Sequence, residues 1–170
     1  MFRDTPIRLL GYMNEVGESF RPIIPRILVH STYVIAAGYG LADALDKGHK
    51  NYKFTKHHNL SSNTVKITTA GKVIETFLWQ SLASVIIPAF VINRIVWFTG
   101  KSVNFLAQKN IRPPRAHLYP TIVGLCSIPL IVHPIDSLVN LFVDNTYKPF
   151  AHKTMSSYIP PEDLNLLKDI

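Results

Sequence analysis

Residues 127–142 have the sequence SIPLIVHPIDSLVNLF, and four residues that interrupt its aliphatic run decide which kind of helix it can form. Pro129 and Pro134 would disrupt a helix in water, because a proline removes one backbone hydrogen bond and crowds the preceding turn. His133 and Asp136 are equally unexpected in so apolar a segment. A membrane helix tolerates all four where neighbouring helices satisfy its polar groups. The segment therefore favours a membrane-spanning helix over a helix in a soluble core.

Two further apolar segments lie upstream. The uncharged runs are 27–42, 76–93 and 116–135, which contain 16, 18 and 20 residues. A helix that crosses a bilayer needs roughly 17 to 25 residues. Only 17% of the residues are charged, against about a quarter in an average soluble domain. We therefore predict one membrane domain, 1–145, with spans at about 23–46, 73–99 and 117–143, followed by a C-terminal tail, 146–170; a soluble helical bundle is the alternative.

The N-terminal residues 5–20 have the pattern of an amphipathic helix. An apolar stripe that includes Leu9 and Val16 lies opposite Glu15 and Glu18. Such a helix can lie in the membrane interface, although packing on a soluble neighbour fits the pattern equally well. The predicted fold class is all-α, a three-span transmembrane helical bundle with an N-terminal amphipathic interfacial helix.

Small and polar residues recur every three or four positions in each predicted span, which places them in stripes that face other helices. The stripes are Thr32, Ala36, Gly40 and Ala44 in the first span, Thr76, Gln80, Ser84 and Pro88 in the second, and Pro129, His133, Asp136 and Asn140 in the third. Further residues expected to contact the bundle are Asp43, Asp46, Glu75, Asn93, Arg94 and Pro134. We expect His133 and Asp136 to face the interior, either as a structural pair or as a proton relay. We expect Arg94 to pair with Glu15 or Glu18, because an unpaired guanidinium inside a membrane is costly.

Aromatic and basic residues predict where the chain meets the membrane surface. Trp79 and Trp97 are 18 residues apart, five helical turns, so we predict one indole at each interface on the same helix face. Four basic residues with no acid among them are candidate contacts for membrane lipids, including cardiolipin. These residues are Lys101, Lys109, Arg112 and Arg115.

No arrangement of catalytic residues is recognisable, so we predict a protein that is not an enzyme and has no metal, cofactor or nucleic-acid ligand. The single cysteine excludes an intramolecular disulfide, and the adjacent His57 and His58 are too few for a zinc site. The lysine-rich segment 47–72 predicts a solvated loop. Nine Lys and Arg residues fall on each side of the predicted spans, so the charge bias defines no orientation.

Four stretches of the chain resemble blocks of the mitochondrial fission process protein family, in the same order. They are RDTPIRLLGYMNEVGESFRP from Arg3, LADALDKG from Leu41, ETFLWQSLASVIIPAFVINR from Glu75, and IPLIVHPID from Ile128. The resemblance extends from about Arg3 to Asp144 and includes all three predicted spans.

This resemblance implies a multi-pass protein of the mitochondrial inner membrane, involved in fission and inner-membrane integrity, with effects on respiration and apoptosis. It implies no catalytic residues. Two hypotheses follow. The protein binds membrane partners, either fission machinery or respiratory-chain complexes to which it would be an accessory subunit, or it handles protons or ions through Glu75, His133 and Asp136.

Overall fold

The computed structural model describes residues 10–111 and 114–168, and within those ranges it contains helices and no strand. The α-helices are α1 (Met13–Phe20), α2 (Arg26–His57), α3 (Ser62–Gln80), α4 (Ile87–Gln108), α5 (Tyr119–Asn145), α6 (Tyr147–Ser156) and α7 (Pro161–Lys168). The predicted all-α class is confirmed. Residues 5–9 of the predicted interfacial helix, and Arg112 among the predicted lipid contacts, lie outside the described residues.

A π-helix, Ser81–Ile86, joins α3 to α4 without a break in the helical path. Pro88 follows it by two residues, and a proline ring clashes with the carbonyl group four residues earlier. A π-helix relieves this crowding because its hydrogen bonds reach one residue further, which widens the turn. Residues Ser62–Gln108 therefore form one long helical segment in which the number of residues per turn changes locally at the π-helix.

Two helical segments are long and apolar enough to cross a membrane, Ser62–Gln108 and Ala116–Ser156. They contain the second and third predicted spans. The helix α2, which contains the first predicted span, does not have this character, because His30, Thr32 and Asp43 dilute its apolar residues. The structure thus supports two membrane-crossing helices, and the third span stays a prediction.

The helices pack in two pairs around α1. Helix α2 packs against α3, α4 packs against α5, and α1 lies among α2, α4 and α5. An apolar cluster closes the space between the π-helix and α5. It consists of Ala83, Ile135, Val139 and Val143, with the partly buried Trp79 against it.

Small residues let α2 approach α3 closely. Ala36 and Ala44 are 1% and 0% exposed, and Gly40 between them is also buried. A Cβ atom on Gly40 would lie 3.3 Å from Cβ of Gln80, and one on Gly48 would lie 2.3 Å from Cγ2 of Val73. Glycine at these two positions therefore sets the distance between the helices.

The predicted loop at 47–72 is wrong, because α2 continues to His57 and α3 begins at Ser62. Four of its six lysines, Lys50, Lys53, Lys56 and Lys66, lie on the exposed outer side of a helical hairpin, whereas small residues such as Gly48 and Thr64 lie on its buried inner side. Lysine has a good helix propensity, so a charged segment can form a helix when one face is covered. We call this hairpin, residues 47–72, the headpiece.

The C-terminal helices continue beyond the last predicted span and return to the headpiece. Helix α6 packs against α3 and α5. At the start of α3, the Asp163 carboxylate in α7 accepts hydrogen bonds from the backbone N–H of Ser61, 3.2 Å away, and from the Thr64 hydroxyl, 2.5 Å away. The predicted tail thus contributes a capping group to the N-terminus of another helix.

Candidate functional site: the polar interior

The polar face of α1 points into the bundle, and the predicted interfacial placement of this helix is not confirmed. Asn14, Glu15 and Ser19 are each 0% exposed, and Glu18 is 1% exposed. The Asn14 side-chain amide donates to the carbonyl of Val85, 3.1 Å away in the π-helix. In a membrane the apolar medium is outside, so a helix held among other helices turns its polar groups inward.

Glycines allow α1 to fit between its neighbours. A Cβ atom on Gly17 would lie 2.0 Å from Oγ1 of Thr32 in α2, and one on Gly124 in α5 would lie 2.9 Å from Oγ of Ser19. Without side chains at these two positions, the backbones of α1, α2 and α5 come close together.

Glu18 connects three elements through its carboxylate. It forms a salt bridge with Arg21, whose Nε lies 2.7 Å from Oε2. The Tyr33 hydroxyl of α2 donates to Oε1 at 2.6 Å, and the Asn93 amide of α4 donates to Oε2 at 2.9 Å. Burial favours the neutral acid, but hydrogen bonds from Arg21, Tyr33 and Asn93 outweigh it and lower the pKa of Glu18. The carboxylate is therefore charged and well satisfied.

The predicted pairing of Arg94 with Glu15 or Glu18 is wrong. Arg94 is exposed, and its Nη2 donates to Oδ1 of Asn93 at 2.9 Å. Arg21 occupies the position at Glu18 instead, since it lies three residues away on the same turn and needs no long-range contact. Sequence reasoning missed both Arg21 and Tyr33, although the spacing of Glu18 and Arg21 was a local signal for the first.

Glu15 has the opposite environment. Neither of its carboxyl oxygens has a hydrogen-bond partner among the described residues, and the same holds for Oδ1 of Asn14 and Oγ1 of Thr121. Burial raises the pKa of Glu15 to about 8, its own backbone hydrogen bond opposes this, and the nearby charge of Asp136 raises the pKa further. Glu15 is therefore mostly protonated at neutral pH.

A polar cavity of about 260 Å³ lies among α2, α3 and α5, on the side of the bundle nearer the headpiece. Its lining includes three carboxylate–lysine pairs, which are Asp43 with Lys47 at 2.7 Å, Glu75 with Lys72 at 3.0 Å, and Asp144 with Lys148 at 2.6 Å. Asp136 also lines the cavity. Such a lining can hydrogen-bond to water or to a small polar ligand.

Gln80 connects the cavity wall across two helices. Its Nε2 donates to Oδ2 of Asp43 at 2.7 Å, and its Oε1 accepts from the Ser84 hydroxyl at 2.8 Å. The structure thus brings together the predicted residues Asp43, Glu75, Gln80 and Asp136. Others lie elsewhere, since Asp46 pairs with Lys50 at 2.5 Å, Asn93 binds Glu18, and Pro88 is buried at the start of α4.

The expected inward orientation of His133 is wrong. His133 and Pro134 are exposed on the outer face of α5, whereas Ile135, predicted to face outward, is 5% exposed. The buried face of α5 instead follows Ile135, Val139 and Val143, which pack on Ala83. Polar groups from α1 already fill the interior, so apolar residues of α5 complete the packing.

The two tryptophans have different surroundings. The indole Nε1 of Trp79 donates to Oδ1 of Asn140 at 2.7 Å, and the ring packs on the apolar cluster. Trp97 is 50% exposed. The π-helix between them changes the number of residues per turn, so the five-turn spacing does not place both rings on one face.

The apolar helices and the polar interior define a small all-helical protein with two helices suited to crossing a membrane. The family model described as Mitochondrial 18 KDa protein (MTP18) matches residues 3–143, and the chain belongs to this family. The resemblance to the fission process proteins is thereby confirmed.

Three relatives illustrate the range of the similarity. Mitochondrial fission process protein 1 of Caenorhabditis elegans is 45% identical over 148 residues, 86% of this chain and 85% of the relative. The protein of that name from Homo sapiens is 40% identical over 161 residues, 92% of this chain and 93% of the relative. Uncharacterized protein R740 of Acanthamoeba polyphaga mimivirus is 32% identical over 145 residues, 82% and 73% of the two chains. No solved structure matches the chain significantly.

Proposed function

We propose that this chain is a non-enzymatic protein of mitochondrial fission that acts in the inner membrane, and supports its integrity, by binding other membrane proteins. Family membership and the names of the relatives support mitochondria and fission. Two candidate spanning helices support the membrane location. The mode of action rests on the surface of α5, described below.

A third span at α2 is part of this proposal. The outward residues Ile27 and Val34 are 76% and 72% exposed, which suits contact with lipid. On the inner side, Asp43 is neutralised by Lys47 and bonded to Gln80, so its charge does not face hydrocarbon. A span at α2 places the headpiece and residues 21–25, which directly precede α2, on opposite sides of the membrane.

The proposal that partner proteins bind rests on the outer face of α5. Pro129, His133, Pro134 and Ser137 are all exposed, about midway along the predicted span. Because Pro134 has no N–H, the carbonyl of Leu130 lacks its regular helical partner. Hydrocarbon offers no hydrogen bonds, and each unsatisfied polar group there costs on the order of several kcal/mol. A neighbouring protein helix with hydrogen-bond donors would satisfy this face.

Site-specific photo-cross-linking in mitochondria tests this surface. A cross-linker at Ser137 should yield adducts with other inner-membrane proteins, and His133→Leu should reduce them several-fold. The matched control is Ile122→Leu, which changes an exposed apolar residue of the same helix about two turns before Pro129 and should leave the adducts intact. If Ser137 yields lipid adducts alone while the chain resides in the membrane, the face is not a partner surface.

Proton handling is a second function, favoured by the buried Glu15 beside Asp136 and the polar cavity. Purified protein in liposomes with an internal pH dye measures it directly. Partner binding as the sole function predicts no proton flux above that of empty liposomes. Flux that is abolished by Glu15→Gln and unaffected by Asp46→Asn, outside the cavity, would establish the second function instead.

A further inference from the structure

Helix α4 carries an exposed row of alternating aromatic and basic residues, which we call the aromatic–cation ladder. Its members are Phe90, Arg94, Trp97, Lys101, Phe105 and Lys109. They follow one another at intervals of three or four residues, so they share one helix face. All six are exposed, with Phe90 65%, Trp97 50% and Phe105 56% exposed.

The rings hold the cations against the surface of the helix. The Arg94 guanidinium lies 5.5 Å from the centre of the Phe90 ring and 5.7 Å from that of Trp97. The Lys101 ammonium lies 4.6 Å from the Trp97 ring centre. Two cations therefore flank the Trp97 indole, within the distance at which a cation is attracted to the face of a ring.

The described part of the chain supplies no carboxylate to these cations. Among residues 10–111 and 114–168 there are salt bridges at Arg21, Lys47, Lys50, Lys72 and Lys148, and none at Arg94, Lys101 or Lys109. Arg94 donates to the amide oxygen of Asn93, which carries no charge. A guanidinium on a membrane-crossing helix needs a counter-ion, so an anion from the surroundings must take that role.

We propose that Arg94, Trp97 and Lys101 bind the phosphate groups of anionic phospholipids. The proposal rests on the placement of α4 as a span in the proposed function. Trp97 marks the interface, Arg94 lies about 4.5 Å below it along the helix, and Lys101 lies about 6 Å above it. Long basic side chains extend toward the interface, so both cations converge on the level of the lipid phosphates. Lys109, about 18 Å beyond Trp97, adds only screened attraction.

Lipid suits this surface better than an acidic protein segment does. Phe90 lies one turn deeper than Arg94 and is exposed, as is Phe98 at 68%, so the surroundings of Arg94 are apolar. A water-soluble acidic peptide could reach Lys101 but would have to enter hydrocarbon to contact Arg94. A phospholipid presents its phosphate and its acyl chains at the required depths together.

Fluorescence in reconstituted vesicles tests the proposal. Trp79→Phe leaves Trp97 as the only tryptophan, since the chain has two. Spin-labelled phosphatidylglycerol should quench Trp97 more strongly than spin-labelled phosphatidylcholine at equal amounts. Each cation near a membrane surface contributes about 1 kcal/mol, so Arg94→Gln with Lys101→Gln should weaken the preference roughly thirty-fold. Native mass spectrometry of phosphatidylglycerol retained by the unmodified chain makes the comparison without Trp79→Phe.

The control removes the same charge from another surface. Lys53→Gln with Lys56→Gln, on the exposed side of the headpiece, should leave the preference of Trp97 unchanged. Two results would overturn the proposal: equal quenching of the parent by both lipids, or a control variant that loses as much lipid preference as Arg94→Gln with Lys101→Gln. Neither result would affect the proposal that partners bind at α5. A chain that fails to float with carbonate-washed vesicles would instead overturn the membrane placement on which both proposals rest.

Discussion

Glu15 and Glu18 lie one turn apart on α1, and their surroundings give them opposite charge states. Three donors from three elements stabilise the carboxylate of Glu18. No side chain among the described residues donates to Glu15, so burial outweighs its own backbone N–H and favours the neutral form. Both side chains have almost no exposed surface, and the charge state is set by burial at Glu15 and by hydrogen bonds at Glu18.

The raised pKa of Glu15 predicts a pH dependence of stability. Between its ordinary value of 4.5 and about 8, the folded protein binds a proton that the unfolded chain has released. Stability therefore falls as pH rises through this range and levels off above it. In detergent, the melting temperature of Glu15→Gln relative to that of the parent should increase from pH 5 to pH 8. A constant difference across this range would mean that Glu15 is charged in the fold.

Glu18 and Arg21 should be energetically coupled, whereas Glu18 and Arg94 should not. A hydrogen bond to a charged group contributes about 1.5 to 3 kcal/mol, so Glu18→Gln should lower the free energy of unfolding by an amount of that order. In double-mutant cycles, Arg21→Gln should be non-additive with Glu18→Gln, and Arg94→Gln should be additive within about 0.5 kcal/mol. Strong coupling to Arg94 would show that its guanidinium reaches the carboxylate in the membrane.

At the scale of elements, the sequence located two candidate spans and misjudged the segments around them. The uncharged run 76–93 extends from the end of α3 through the π-helix into α4, and the run 116–135 covers the first part of α5. A helix that crosses lipid needs a run of this length. The headpiece has no such run, and Gly48, Thr55 and Thr64 make up most of its buried positions beside Leu60 and Val65, so little apolar periodicity marks its buried side. For α1 the amphipathic pattern was real, and the structure places its polar face among the other helices.

The contact of α2 with α3 at Gly48 provides a test with an internal control. In Gly48→Ala the new Cβ would lie 2.3 Å from Cγ2 of Val73, and such overpacking costs about 1 to 3 kcal/mol. Adding Val73→Ala removes the clashing methyl group and should restore most of the loss. Gly38→Ala, in the same helix with no atom within 4 Å, should be neutral or stabilise by up to about 1 kcal/mol. Equal effects of the two alanines on thermal stability would mean that α2 and α3 are further apart.

At the scale of the whole molecule, Asp163 ties the C-terminal helices to the headpiece. Hydrogen bonds from Thr64 and Ser61 hold the pKa of Asp163 below its usual value. The contact is stabilised only while the Asp163 carboxyl group is ionised. It should therefore weaken as the pH falls to the pKa of a free aspartate and below. Asp163→Ala should expose α6 and α7 to limited proteolysis, while Glu162→Ala, at an exposed neighbouring position, should not. Unchanged cleavage of Asp163→Ala would show that packing alone holds α7.

How far the polar interior could be predicted depends on the range of each contact. Gln80 belongs to a stripe that the spacing turned inward, whereas its bond to Asp43 on another helix was not predicted. Arg94 and His133 were predicted to face other helices, but both are exposed. Spacing gives only the relative positions of residues on one helix, whereas the rotation of that helix about its axis depends on its neighbours. Apolar contacts of Ile135 and Val139 decided the rotation of α5.

The separation of the partners of Glu18 along the chain implies an order of assembly. Arg21 is 3 residues away, Tyr33 is 15 and Asn93 is 75. Closing a short loop costs less entropy than closing a long one, so the ion pair forms first. The carboxylate is thus neutralised by its neighbour before α4 arrives, and Asn93 joins a pair already made. The carboxylate is therefore buried between α2 and α4 with its counter-charge already in place.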